Sequence, residues 1–175
     1  MPGTGPLTTL SQLNHVAREA ARRLRETATQ LVLAESCTGG LVAASLTGVP
    51  GISQYLCGSF VVYQTDCKHA WLGVDDKLLA RSGPVCRKVA EQLATGALAK
   101  TKQATLAATI TGHLGPDAPA GMDGLVFIGI ARRAGRVVRT SVKRIVLPTF
   151  DRNERLSRQR LAAIQVLTAI SASQP

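Results

Sequence analysis

Residues 31–46 read Leu31-Val32-Leu33-Ala34-Glu35-Ser36-Cys37-Thr38-Gly39-Gly40-Leu41-Val42-Ala43-Ala44-Ser45-Leu46. The first four are a short apolar run, the signature of a buried strand. Ser36 to Gly40 is a polar, glycine-rich break. From Leu41 the chain resumes an alanine-rich helical pattern. The stretch is therefore a strand, a tight turn and a helix, the unit from which α/β sheets are built.

The flanking segments continue the alternation. Apolar residues from Leu10 to Leu24 recur at helical spacing and predict an amphipathic helix from Thr8 to about Thr29. Residues 1–7, rich in Pro and Gly, read as a flexible tail ahead of one domain over 8–175. Cys57–Tyr63 and Ala104–Thr111 read as further strands, with helices over about Asp66–Leu72 and Val85–Lys100 between them. Gly124–Arg132 and Arg136–Leu147 form a hairpin about Ala134-Gly135, and Asp151–Ile170 a last helix. The expectation is an α/β fold, a three-layer α/β/α sandwich whose sheet is mixed and mainly parallel.

Composition narrows the function classes. The 175 residues are 45% hydrophobic, 18% charged and only 3% aromatic, so an aliphatic core is available and disorder is excluded. The net charge is +10. Residues 131–160 hold ten Lys or Arg against two Asp or Glu, a local net of +8. Such a face suits a phosphorylated metabolite, a nucleic acid or plain solvent. Single-strand binders interleave aromatics with basic residues; only Phe127 and Phe150 lie near, which argues against nucleic acid. Cys37, Cys57, Cys67 and Cys86 form no Cys-x-x-Cys pair, so no metal site is expected. With no signal-like segment and no apolar run of spanning length, a cytoplasmic protein without membrane contact is expected.

Ligands of open α/β sheets bind beyond the carboxyl ends of the strands. Three turns lie there: 35–40, 63–68 and 111–117. The first sets Ser36, Cys37 and Thr38 ahead of a helix, with Gly39 and Gly40 permitting close approach of a ligand. Capping of that helix by Ser36 or Thr38 explains the same residues without chemistry. The second turn carries Tyr63 and Lys68. A desolvated lysine loses its charge, and a neutral amine can take a serine proton as in serine–lysine hydrolases; an ordinary surface lysine is the competing reading. In the third, Thr111 and Gly112 offer a hydroxyl and amides, while His113 reads as a surface histidine. Cys37 has no basic partner and reads as a packing residue.

At these residues the chain resembles the CinA C-terminal domain family, whose members include nicotinamide mononucleotide deamidases. The resemblance rests on Ala34 to Gly40, Val49-Pro50-Gly51-Ile52-Ser53, Val62-Tyr63 with Lys68, Leu72-Gly73-Val74, Ser82-Gly83-Pro84-Val85, Thr111-Gly112 with Gly115-Pro116, and Asp151-Arg152. It implies hydrolysis of the nicotinamide carboxamide to nicotinic acid mononucleotide and ammonia, with no cofactor. By that resemblance Ser36 is the nucleophile, Lys68 its base and Tyr63 its helper. Glu35, Thr38, Gly39, Gly40, Thr111, Gly112 and Arg152 are then expected to contact the nucleotide substrate. The loop from His113 to Gly124 is shorter than in the family, so the alternative is an inactive member that binds a nucleotide or a protein. A homo-oligomer is expected, as small α/β domains often assemble.

Overall fold

In the computed structural model, which describes residues 6–150 and 153–173, Leu31–Glu35 forms β1, all five residues buried, at the interior of a five-stranded sheet. The other strands are β2 (Leu56–Val61), β3 (Leu106–Gly112), β4 (Leu125–Ala134) and β5 (Val137–Val146), in the order β2-β1-β3-β4-β5. β1 pairs in parallel with β2 and β3, while β3–β4 and β4–β5 are antiparallel. Four of the five strands thus share one direction and β4 alone opposes them.

Six helices cover the two faces: α1 (Pro6–Glu26), α2 (Leu41–Thr47), α3 (Thr65–Leu72), α4 (Asp76–Ser82), α5 (Arg87–Lys100) and α6 (Glu154–Ala172). The period of two in β1 divides the core. Leu31 and Leu33 pack with α1, α2 and α6 through Leu24, Val42, Leu46, Ala163 and Leu167. Val32 and Ala34 face the other way, toward α3, α4 and α5, through Leu72, Leu78, Val89 and Leu93. With so few aromatics, the layers close on small residues. Ala107 and Ala108 of β3 and Ala90, Ala94 and Ala97 of α5 are each fully buried.

Two expectations need adjustment. Helix α1 begins at Pro6, so only residues 1–5 of the tail expected over 1–7 lie outside the described residues. Helix α4 was not expected. Its only large apolar residues, Leu78 and Leu79, are adjacent and give no periodic signal, yet Asp75 caps it, its carboxylate accepting from the amides of Lys77 and Leu78 at 2.7 and 3.1 Å. Among the described residues no helix is long and apolar enough to cross a membrane.

One close approach positions α3, the helix that carries Lys68. Gly96 of α5 lies against the end of α3, where an added Cβ would stand 2.1 Å from the Leu72 carbonyl oxygen. Alanine ordinarily favours a helix over glycine by about 1 kcal/mol. Here Gly96→Ala is expected to reverse that sign, destabilising the protein by about 1–3 kcal/mol as α3 is pushed from α5. Urea unfolding checks this; a stabilised Gly96→Ala protein would show that the contact does not constrain the helices.

Candidate active site

β1 ends in the middle of the sheet, so the residue after it is held from both sides. The amide of Ser36 donates to the Ile110 carbonyl at 3.1 Å, and the amide of Val62 donates to the Glu35 carbonyl at 2.8 Å. The turn that follows is organised by the Glu35 side chain, which is 1% exposed. Its Oε2 accepts from Thr38 Oγ1 at 2.7 Å, Val42 N at 3.0 Å and Gly40 N at 3.1 Å. Its Oε1 accepts from Ala43 N at 2.9 Å and Ser59 Oγ at 3.2 Å. Five donors compensate the buried carboxylate, which in turn satisfies the first amides of α2.

Of the residues expected to touch substrate, Glu35, Thr38, Gly39 and Gly40 are not among those lining the cleft described below. Glu35 and Thr38 are consumed in the turn. Gly39 and Gly40 hold φ +63° and +97°, the left-handed region in which side chains are disfavoured. An added Cβ at Gly40 would meet no protein atom closer than 3.5 Å, so within the protein it is conformation rather than crowding that favours glycine there. The Gly39 amide is also occupied, donating to the Ser36 carbonyl at 3.0 Å.

Ser36 is 7% exposed and faces a cleft of about 200 Å³ beyond the ends of β1, β2 and β3. Lys68, in the first turns of α3, is 1% exposed. Its Nζ lies 3.0 Å from Ser36 Oγ, 2.7 Å from the Val62 carbonyl and 3.2 Å from the Tyr63 carbonyl. Burial pulls its pKa from 10.5 down to about 8. A neutral amine has two N–H donors and one lone pair. As an ammonium Lys68 donates to all three oxygens; once it loses a proton it keeps both carbonyls as acceptors, and its lone pair can take the Ser36 O–H along the same 3.0 Å line.

Cys37 also lines the cleft, but desolvation pushes its thiol up to about 12, which leaves it protonated and a poor nucleophile. The third turn supplies Thr111, Gly112 and His113. Thr111 Oγ1 donates to the Pro84 carbonyl at 2.7 Å, leaving its lone pairs for a ligand. Gly112 admits no side chain, because a Cβ there would lie 2.4 Å from Val126 Cγ1. His113 lies on the cleft wall rather than on the outer surface, and partial burial lowers its pKa.

Arg152 lies outside the described residues. Arg155, three residues on, is the arginine that lines the cleft, and the sequence reading missed it. Its guanidinium donates to the Gly115 carbonyl at 2.6 Å and to the Tyr63 hydroxyl at 2.7 Å, bridging the second and third turns at the mouth. Tyr63 is 56% exposed, so its hydroxyl belongs to this rim while its carbonyl serves Lys68. Arg155 and Pro116 are shared with a shallower depression of about 490 Å³ that continues along the start of α6.

The loop from His113 to Gly124 is short but anchored. Arg158, 1% exposed, donates to Asp123 at 3.0 and 2.8 Å and to the Pro148 carbonyl at 3.0 Å. The Arg158 guanidinium holds the Asp123 carboxyl below its ordinary range. Gly115 and Gly124, at φ +68° and +70°, make room for that guanidinium, since a Cβ on either would crowd it.

The comparisons with known proteins agree with this architecture. The model of the CinA C-terminal domain matches residues 13–170. A CinA-like protein of Geobacter metallireducens is 45% identical over 117 residues, 66% of this chain and 28% of that protein. A CinA-like protein of Chlorobium phaeovibrioides is 40% identical over 143 residues, 78% of this chain and 32% of that protein. The chain thus spans about a third of the length of these curated relatives. Among solved structures, the competence/damage inducible protein CihA from Agrobacterium tumefaciens superposes with a TM-score of 0.82 at 29% identity, covering 92% of this chain and 94% of that one. The competence damage-inducible protein A (ComA) from Klebsiella pneumoniae gives 0.83 at 25% identity, covering 92% and 96%. With the match running from the middle of α1 to near the end of α6, the chain belongs to the CinA C-terminal domain family.

Proposed function

We propose that the chain is an amidohydrolase that converts nicotinamide mononucleotide and water into nicotinic acid mononucleotide and ammonia. The observation that carries this reading is the 3.0 Å contact between the buried Lys68 amine and Ser36 Oγ. An amine with its pKa near 8 is a base poised close to neutral pH.

In the first step Ser36 Oγ attacks the carboxamide carbon as its proton passes to Lys68 Nζ. The negative charge gathers on the former carbonyl oxygen. With the Gly39 and Gly40 amides engaged in the turn, the amide of Cys37, which lines the cleft, is the donor assigned to that oxyanion. One such donor commonly contributes about 3–4 kcal/mol. Collapse breaks the C–N bond, and the Lys68 ammonium gives its proton to the leaving nitrogen, releasing ammonia and an ester on Ser36. Lys68, neutral again, takes a proton from water, which cleaves the ester and restores the Ser36 hydroxyl. The Val62 and Tyr63 carbonyls keep the amine aimed throughout. The Thr111 hydroxyl, its proton spent on Pro84, suits the carboxamide N–H as an acceptor.

Size supports the same placement. Pockets for whole drug-sized ligands run to about 300–1,000 Å³, so a cleft of about 200 Å³ takes the ring and its carboxamide. The ribose phosphate then extends into the adjoining depression along α6.

Ammonia release from nicotinamide mononucleotide tests the reading. Ser36→Ala and Lys68→Met are each expected to lower kcat by about 10³-fold or more; full activity in Ser36→Ala would overturn the serine mechanism. The base must be neutral to act, so kcat/KM is expected to climb with pH through a midpoint of about 8 and then level. A profile flat from pH 6.5 to 9 would contradict the assignment of Lys68.

A further inference from the structure

Ser36 and Lys68 account for the attack on the amide, and Thr111 for the seat of the leaving nitrogen. His113, the next residue on the same side of β3, is left without a task. The alternation along β3 shows which side that is. Ile110 and Leu114 are buried in the core under α1 and α6, and a Cβ on Gly112 would meet Val126 of that same core. Thr109 and Thr111 face the other way, their hydroxyls donating to the Ala90 and Pro84 carbonyls at 3.0 and 2.7 Å. The amide of His113 still donates to the Leu125 carbonyl at 2.9 Å, so the pairing with the next strand continues. His113 thus falls in line with Thr111, about 6.6 Å further along the chain. It is half-buried and lines the cleft together with Ser36, Lys68 and Thr111. Among the described residues no hydrogen bond engages its ring nitrogens. Partial burial lowers its pKa, so at pH 7 the ring is neutral and one nitrogen keeps a lone pair.

We propose that His113 orients the water that cleaves the Ser36 ester, its free ring nitrogen accepting one O–H of that water. The proposal rests on the amidohydrolase reading and concerns the second half of that reaction. Once ammonia has left, three of the four positions about the reacting carbon are set by Ser36 Oγ, the carbonyl oxygen and the pyridine ring. The water therefore enters where the ammonia departed, beside Thr111 and on the wall that carries His113. Lys68 does not orient it alone. The two N–H donors of its amine are held by the Val62 and Tyr63 carbonyls, which leaves one lone pair for one water proton. A water held by that single hydrogen bond still swings its oxygen off the line to the acyl carbon. A second bond, from its other O–H to the imidazole, removes that freedom. The imidazole nitrogen is also a more basic acceptor than the Thr111 hydroxyl that borders the same position. The step balances without His113 gaining a proton. The water oxygen bonds to the acyl carbon as one proton passes to Lys68 Nζ. The bond from that carbon to Ser36 Oγ breaks, Ser36 recovers the proton from Lys68, and the nucleotide acid sheds its own proton to solvent.

Hydroxylamine separates this role from a structural one. It attacks the same ester through its nitrogen lone pair, without help from a base, and gives the hydroxamate in place of the acid. The ratio of hydroxamate to acid is read at pH 7 with nicotinamide mononucleotide and a fixed hydroxylamine concentration. It reports how well water is used and is independent of how fast the ester forms. His113→Phe keeps an aromatic ring without an acceptor and is expected to raise the ratio about tenfold, the worth of one hydrogen bond. His113→Ala removes the acceptor as well and should raise it by a similar factor. His113→Gln, whose carbonyl oxygen accepts, should bring the ratio back toward that of the unaltered protein. A ratio unchanged in His113→Phe or His113→Ala, whatever becomes of total turnover, overturns the proposal while Ser36-dependent hydrolysis stands. Products formed equally by Ser36→Ala, or none from the unaltered protein, overturn the amidohydrolase reading and the proposal with it.

Discussion

Everything at the site hangs on the Glu35 carboxylate, buried at the end of the central strand and saturated by five donors. Three of the five are backbone amides of the turn and the first residues of α2, and the other two are hydroxyls of Thr38 and of Ser59 on β2. One side chain thereby fixes the exit of β1, the left-handed glycine turn and the start of the next helix. The cost of dehydrating a charge is offset because every strong acceptor direction is used. Ser36 emerges from this knot with its backbone pinned to β3 and its hydroxyl 3.0 Å from Lys68 Nζ.

The second constraint is the burial of Lys68. An ammonium at this position finds three acceptors, the Val62 and Tyr63 carbonyls and Ser36 Oγ, yet burial shifts the balance toward the amine. The carbonyls of Val62 and Tyr63 fit the neutral form, and the close seat of Leu72 on Gly96 keeps α3 where the amine reaches Ser36. The fold thus gives up stability at one lysine to hold a base near neutral pH, a trade common at catalytic sites. The third turn completes the cleft through the Arg158–Asp123 anchor, which secures the loop.

Much of this was legible in the sequence, for physical reasons. The switch from a run of four apolar residues to glycine to an alanine-rich helical period placed β1, the turn and α2 correctly. Strand ends in one plane then brought Ser36 and Lys68 within reach of one another. The task of Glu35 was not legible, since a carboxylate beside a serine looks the same whether it turns outward to a ligand or inward to a helix terminus. The positive φ of Gly39 and Gly40 was not legible either, since a glycine pair in a turn does not show which backbone conformation it takes. Arg155 was missed because an arginine-rich helix start gives no sign of which guanidinium turns toward the cleft, and Arg152, the residue chosen instead, lies outside the described residues. Helix α4 escaped because its only large apolar residues, Leu78 and Leu79, are adjacent and show no period.

Whether Lys68 is a base or merely a buried cation decides the account. Its own titration can be followed by NMR on lysine labelled at the side chain, with the Lys68→Met protein assigning the signal. A midpoint of about 8 in the free protein is the predicted result, with the amine neutral above it. A midpoint at the ordinary lysine value of 10.5 would leave Ser36 without a base at neutral pH and contradict the account.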